Sequence, residues 1–399
     1  MRYVIIGNGV AGTTAAARVR DRDASGEILI VSDETHPFYS RIRLVDYLAG
    51  ETQEGDLIIR KEGWYEDKGI TLRLGCEVRE IVPLTKSIIL ADGRGEAYDK
   101  LLVATGSTPF MPPLEGSEKK GVFTLKTIED ARLINEYLSD KEEVIVLGGG
   151  VLGIEAGNSL RKRGKRVAIV EFFPRLLPRQ MDAEGSEILK ATLERMGLTF
   201  HLGTTAKEVV GGNRVEGLLL QDGRFIRADS LLVSAGIRPR TTLLGSCGIK
   251  LGKGVPVDDR METEIPDIYA AGDLIEHRGV FYGIWSAAEK QGEVAGIDMA
   301  GGDATYEGTI PSNILKVAGV DLFSAGDIDA EGRMDCMVIK DPEKGVYRKL
   351  VVKNGRLAGC ILCGDVKGRS EILSALREHT PVEELKETIP ELNAGRDRG

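Results

Sequence analysis

Gly7, Asn8, Gly9, Val10, Ala11 and Gly12 follow an apolar run from Tyr3 to Ile6 and lead into an alanine-rich stretch. Gly148, Gly149, Gly150, Val151, Leu152 and Gly153 repeat that arrangement after Val144 to Leu147. In each, the first glycine permits a tight turn. The second lets a pyrophosphate approach the backbone, and the third lets helix and strand pack closely. Phosphates at such a turn sit at a helix N-terminus, where free N–H groups and the helix dipole favour anions. A single turn of this kind is weak evidence. Two, each set between a strand and a helix and each followed by an acidic strand end, point to two bound dinucleotides. In the second unit Glu171 closes the next strand. A carboxylate there accepts hydrogen bonds from a ribose 2′-OH and repels a 2′-phosphate, so NADH is expected over NADPH. Arg175 lies close enough in sequence to weaken that preference. In the first unit the strand ends Ser32-Asp33-Glu34, and either Asp33 or Glu34 could hold the other ribose.

Other reactive side chains carry less. Cys360 and Cys363 have the spacing of a redox or metal pair, but they fall within an expected strand, where residues three apart face opposite sides. A zinc site would need a second pair, which is missing. We therefore read them as buried structural cysteines and expect no metal. The four histidines do not cluster; His277 is near enough to Asp273 to be a site candidate, and His36, His201 and His379 read as structural or exposed. Arg161, Lys162, Arg163, Lys165 and Arg166 form a local basic run, read as a solvated helix end.

Each glycine turn must be held by a strand-helix-strand unit of a parallel sheet. The second strands are Ile28 to Ser32 and Val167 to Glu171, and Gly164 ends the second helix. The duplication continues. Tyr98 to Gly106, which includes Ala104, Thr105 and Gly106, resembles Ala228 to Gly236, and each leads to a proline exit at Pro109 or Pro239. Ile265 to Asp273 reads as a strand returning to the first sheet, so the second unit is inserted into the first. From about Tyr306 the pattern changes to strands with turn signals. Asn354-Gly355 between two such runs is a strong hairpin signal, and a helix is expected from Ser370 to Glu378 before an Ala-Gly-Arg-Asp-Arg-Gly ending.

The chain has 399 residues, a formal net charge of −9 and an aromatic content of 5%. That length allows two to three domains with full cores. The acidic balance gives no global basic footprint for nucleic acid or anionic membranes, and the few aromatics argue against stacking on single strands. No apolar run approaches the ~20 residues of a membrane helix. The first strand starts at once, and the five cysteines are dispersed and odd in number. Both point to a cytoplasmic protein without a leader or a disulfide framework.

Taken together, these residues resemble the two-dinucleotide flavoproteins of the pyridine nucleotide-disulfide oxidoreductase superfamily, over nearly the whole chain. The resemblance rests on both glycine turns, Ala104-Thr105-Gly106 and Ala270-Ala271-Gly272-Asp273. It implies an α/β fold with two Rossmann-like domains, three-layer and glutathione-reductase-like, plus a small α+β C-terminal domain. By the same resemblance an FAD-binding domain covers 1–113 and 237–305, an NAD(P)H-binding domain covers 114–236, and 306–399 forms an interface domain. Asp273 would bond the ribityl chain, the Val78 backbone would meet the adenine, and Trp285, Ala287 and the Gln291-Gly292 pair would belong to the helix beneath the flavin. His36 to Leu44, Leu48 to Gly50, Gly272 to Gly279 and Val346 to Gly359 narrow the resemblance to NADH:rubredoxin oxidoreductases and the flavin half of assimilatory nitrite reductase large subunits.

Two departures shape the expected chemistry. The Cys-x4-Cys of disulfide reductases is missing, and Arg41 stands where single-cysteine relatives carry their thiol. Electrons are therefore expected to leave the flavin directly, toward a one-electron carrier such as rubredoxin or another metalloprotein. Arg41 could stabilise anionic reduced flavin, and Glu155 could align the nicotinamide. Asp46 occupies the position of a lysine found in related ferredoxin reductases, which puts any Lys–Glu155 pair in doubt. The chain also stops before the cluster and sirohaem regions of nitrite reductase, so nitrite chemistry within it is not expected. An NADH oxidase or thiol-disulfide reductase, and a non-catalytic redox sensor, are the alternatives. No nucleic-acid or membrane partner is expected, and a homodimer is compatible with the resemblance.

Overall fold

The computed structural model describes residues 1–309 and 312–385, and the expected Ala-Gly-Arg-Asp-Arg-Gly ending lies outside them. The chain divides into two units. The first comprises Met1–Arg43, Gln53–Pro109 and Ile237–Thr309, and the second comprises Leu44–Thr52, Phe110–Gly236 and Ile310–Gly399.

In the first unit the strands Arg2–Ile6, Glu27–Val31, Ile70–Arg73, Lys100–Val103 and Ile268–Ala270 form one parallel sheet. Their spatial order puts Arg2–Ile6 at the centre, between Lys100–Val103 and Glu27–Val31. Ile5 lies opposite both Ile30 and Leu102 in the ladders. These strands are near-continuous apolar runs because helices or loops cover both faces of a parallel sheet. Ile268–Ala270 pairs parallel beside Lys100–Val103, so the chain leaves this sheet and comes back to it. The two proline exits, Ser107–Pro109 and Ile237–Pro239, pair antiparallel with each other.

Helix Val10–Arg22 runs parallel to helix Trp285–Met299 at very short range. A Cβ on Gly292 would lie 2.4 Å from the Ala11 carbonyl oxygen, and one on Gly296 would lie 2.4 Å from that of Ala15. Residues 11 and 15 thus face 292 and 296, so the second helix projects its first six or seven residues beyond the start of the first. At 1.5 Å per residue that is roughly 9 Å.

The second unit repeats the plan. Glu143–Leu147 is the central strand of a parallel sheet with Arg166–Glu171, Thr199–Leu202, Ser230–Val233 and Val122–Phe123. Each sheet is accompanied in its own unit by a three-stranded antiparallel meander. The C-terminal part adds a five-stranded antiparallel sheet, against which helix Arg369–Glu378 buries Ile372, Ala375 and Leu376. Its hairpin joins Val346–Lys353 to Arg356–Cys363. Asn354 and Gly355 there have φ of 52° and 72°, the pair of positive values that a two-residue turn of this twist requires.

A buried polar knot fixes this sheet within the second unit. Asp182 caps helix Ala183–Arg195 by accepting from the Gly185 N–H at 2.9 Å. It also accepts from the Tyr347 hydroxyl at 2.7 Å and from Lys349 Nζ at 3.0 Å. Lys349 is buried and donates a further bond to the Asp329 carbonyl at 2.9 Å, so its charge is both paired and solvated by the protein.

Candidate functional site

The two glycine turns are built alike. Gly7 and Gly148 have φ of +112° and +124°, values that L side chains rarely adopt. A Cβ on them would stand 2.2 Å from the Ala104 and Ser234 carbonyl oxygens, respectively. A Cβ on Gly12 or Gly153 would stand 2.0 Å from the carbonyl oxygen of its own turn's first glycine. These four glycines are therefore demanded by the fold.

Gly9 and Gly150 are different. Their φ values, −89° and −79°, suit any residue. Nothing among the described residues lies within 4 Å of a Cβ built on either. Protein packing does not require glycine there, whereas a ligand backing onto the main chain does. The two helices also begin without a side-chain cap and without an acidic residue in the first turn. Helices Ile128–Tyr137 and Ala183–Arg195 are by contrast capped by the Thr127 and Asp182 side chains. Helix N-termini kept open, cation-like and smooth-surfaced fit a pyrophosphate at each turn. Asn8, within the first turn, is buried, and its Oδ1 accepts from the Tyr65 hydroxyl at 3.0 Å while its Nδ2 has no partner.

Several of the expected residues converge around the first turn. The Ala104 carbonyl backs Gly7. Gly106, at φ +69°, opens onto space that no described residue fills. Thr105 donates to the Arg240 carbonyl at 3.2 Å. A Cβ on Gly272 would lie 3.3 Å from that of Ala11 and 3.8 Å from that of Ala288, so the Gly272-Asp273 loop sits between the two helix starts. Asp273 accepts from the Ser107 hydroxyl at 3.1 Å, and the Gly272 N–H donates to Gln291 at 2.9 Å. Trp285 opens the second helix with its ring 5.8 Å from that of Phe38, and Ala287 is buried behind it. Val78 starts the meander strand Val78–Val82.

The acids after the second strand are both engaged. Asp33 pairs with Arg240 at 2.9 Å. Glu34 pairs with Arg41 and accepts from the Tyr39 hydroxyl at 2.5 Å, and Arg41 also donates to that hydroxyl at 2.8 Å. Arg41 is thus one corner of a Glu34–Tyr39–Arg41 triangle, which the sequence does not advertise. His277 is buried against Asp259, with Nε2 2.8 Å from the carboxylate, and Asp259 is held down to about 2 by its bonds to Arg278 first and His277 second.

Around the second turn, Glu171 is 7% exposed. One of its oxygens accepts from the Gly149 N–H at 2.5 Å and the other from the Phe173 N–H at 2.8 Å. Gly236 has φ +105° and, like Gly106, opens onto unfilled space. Leu152 is partly exposed at the open helix start, next to Val151. Glu155 lies one turn further along. Burial pushes its carboxyl up to about 7, and the negative charge of Asp46 adds to the rise.

The remaining candidates resolve locally. Burial pushes the Cys360 and Cys363 thiols up to about 12, and both are free thiols. The basic run is spent on its neighbours: Lys162 pairs with Glu51, Arg166 with Glu142 and Glu143, and Lys165 donates to the Leu138 and Lys141 carbonyls.

Two strand-glycine-helix cradles, each at the carboxyl end of a parallel sheet, define a protein that carries two dinucleotide-binding folds. Residues 1–292 match the model described as pyridine nucleotide-disulphide oxidoreductase, and residues 311–380 match that of the rubredoxin NAD+ reductase C-terminal domain. The chain belongs to the pyridine nucleotide-disulphide oxidoreductase family. Membership implies FAD and NADH as the two dinucleotides. The chain is 36% identical over 385 residues to nitrite reductase [NAD(P)H] of Bacillus subtilis (strain 168), covering 96% of this chain and 48% of that protein. It is 30% identical over 375 residues to NADH-rubredoxin oxidoreductase of Clostridium acetobutylicum, covering 94% of each. The structure of an NAD-dependent persulfide reductase from A. fulgidus superposes with a TM-score of 0.90 at 28% identity, covering 97% of this chain and 78% of that one. The chain spans about half the length of the nitrite reductases it matches. No helix among the described residues is long and apolar enough to cross a membrane.

Proposed function

We propose that this chain is an FAD-dependent oxidoreductase that takes hydride from NADH and hands the electrons to a redox carrier such as rubredoxin or another metalloprotein. The observation that carries the reading is that Gly9 and Gly150, in otherwise fold-determined turns at open helix starts, are glycines that the packing of the described residues does not require. FAD supplies a centre that takes two electrons together and releases them singly. The chain's own residues bind and orient. The first turn and Asp273 hold the flavin nucleotide, while the second turn and Glu171 hold NADH. No protein acid or base is needed for hydride transfer itself, which agrees with sites made of glycines, backbone N–H groups and one carboxylate each. Direct exit of electrons fits the thiol-free Glu34–Tyr39–Arg41 triangle at the position where single-cysteine relatives keep their sulfur. The C-terminal sheet is the proposed carrier-facing or self-associating part, and the cytoplasm is the proposed location.

Anaerobic stopped-flow mixing tests the reading. NADH should bleach the flavin faster than NADPH does, and rubredoxin should reoxidise it far faster than air. Vigorous oxygen consumption without a carrier would instead identify an NADH oxidase. Very slow reduction with a change of oligomeric state would identify a sensor.

A further inference from the structure

Phe172 and Phe173 follow Glu171 directly and are 67% and 45% exposed. Large aromatic side chains usually bury most of their surface, so two in succession in solvent call for a partner. Their rings meet edge to face, with centroids 5.2 Å apart and planes at 83°. Their backbone is fixed. The Phe173 N–H donates to one Glu171 oxygen at 2.8 Å, and the Phe173 carbonyl accepts from the Gly203 N–H at 3.0 Å. The other Glu171 oxygen accepts from the Gly149 N–H at 2.5 Å. One carboxylate therefore ties the aromatic pair to the glycine turn. The rings stand at the carboxyl end of strand Arg166–Glu171, and in an open α/β sheet the nucleotide lies outside the carboxyl ends of the strands. An aromatic face held there stacks on a purine whatever the orientation of its hydrogen-bonding edge.

We propose that Phe172 and Phe173 form an aromatic platform for the adenine ring of the pyridine nucleotide, one ring offering its face for stacking and the other bracing it edge-on, with Glu171 holding platform and phosphate turn in register. The proposal rests on the reading of the second unit as the NADH cradle.

The test is calorimetric titration of the FAD-loaded full chain with ADP-ribose, which carries adenine and pyrophosphate but no nicotinamide. Phe172→Ala and Phe173→Ala should each weaken ADP-ribose binding by about five- to thirtyfold. Phe172→Tyr and Phe173→Tyr should restore it, because tyrosine keeps the ring face. Reduced nicotinamide mononucleotide, which lacks adenine, should reduce the alanine variants and the parent protein at the same rate. If the two alanine variants and their double combination bind ADP-ribose as tightly as the parent, the platform is wrong while the NADH reading stands. If the parent binds neither ADP-ribose nor NADH, the cradle reading fails and the platform falls with it.

Discussion

Asp46, on helix Leu44–Ala49, bears electrostatically on Glu155 of helix Val151–Lys162, one carboxylate raising the proton affinity of the other. Burial is the larger cause and the Asp46 charge the smaller, and together they bring Glu155 up to about 7. The folded protein thus keeps a proton that the unfolded chain releases above the ordinary glutamate value near 4.5. Between those two pH values the folded state binds more protons than the unfolded state, so stability falls as pH rises and levels off above about 7. A shift of this size corresponds to roughly 3 kcal/mol at most. Denaturant unfolding measured from pH 4 to 8 should show this decline. Asp46→Asn should shorten it from the high-pH end, and Glu155→Gln should remove this group's share. A Glu155→Gln curve identical to that of the parent would mean that Glu155 titrates normally.

The glycine turns separate fold from ligand. Gly9→Ala and Gly150→Ala place a methyl in open space at an ordinary φ, so the unfolding free energy of the cofactor-free chain should change by no more than about 1 kcal/mol. Gly9→Ala should nevertheless lose FAD, and Gly150→Ala should bind NADH at least tenfold more weakly. Gly7→Ala and Gly12→Ala drive a methyl into backbone atoms at 2.2 and 2.0 Å and should yield little folded protein. Flavin content after purification, set against the denaturation midpoint of the cofactor-stripped proteins, distinguishes the two classes.

Glu171 has two tasks that one substitution can divide. Its oxygens satisfy the Gly149 and Phe173 N–H groups, and on the proposed reading its charge repels a 2′-phosphate. Glu171→Arg should therefore move the NADPH-to-NADH ratio of kcat/KM upward by at least tenfold. It should also cost about 1–3 kcal/mol of stability, because two backbone donors lose their acceptor. Unchanged selectivity alongside lowered stability would reduce Glu171 to a clamp for the turn.

How far the sequence led depends on the range of the interaction. The turns, the inserted second unit and the Asn354-Gly355 hairpin are local signals, carried by glycine placement and by strand-helix alternation. The Glu34–Tyr39–Arg41 triangle spans eight residues, yet its members read separately as a ribose acid and a flavin-site arginine. Asp46 was legible as the absence of a lysine, but not as a charge acting on Glu155, since that depends on how two helices pack. Phe172 and Phe173 stand beside Glu171 in the sequence, and only their exposure marks them. The Asp182 knot joins residues more than 160 positions apart, where neither periodicity nor spacing gives a signal.

That knot yields a stability prediction independent of any cofactor. Asp182 simultaneously caps a helix, accepts from the Tyr347 hydroxyl and neutralises Lys349, which is only 3% exposed. Asp182→Ala strips a buried ammonium of its counter-charge and leaves a buried hydroxyl and a helix N–H without acceptors. Breaking one partner of a buried ion pair costs about 3–5 kcal/mol, more than the cap alone, which is worth about 1. Lys349→Met combined with Asp182→Ala removes both charges, so the double variant should be more stable than Asp182→Ala alone. The double-mutant cycle, read by urea unfolding of the full chain, should give a coupling of at least 1 kcal/mol between the two positions. Additive losses would mean that Lys349 is held by the Asp329 carbonyl and not by Asp182.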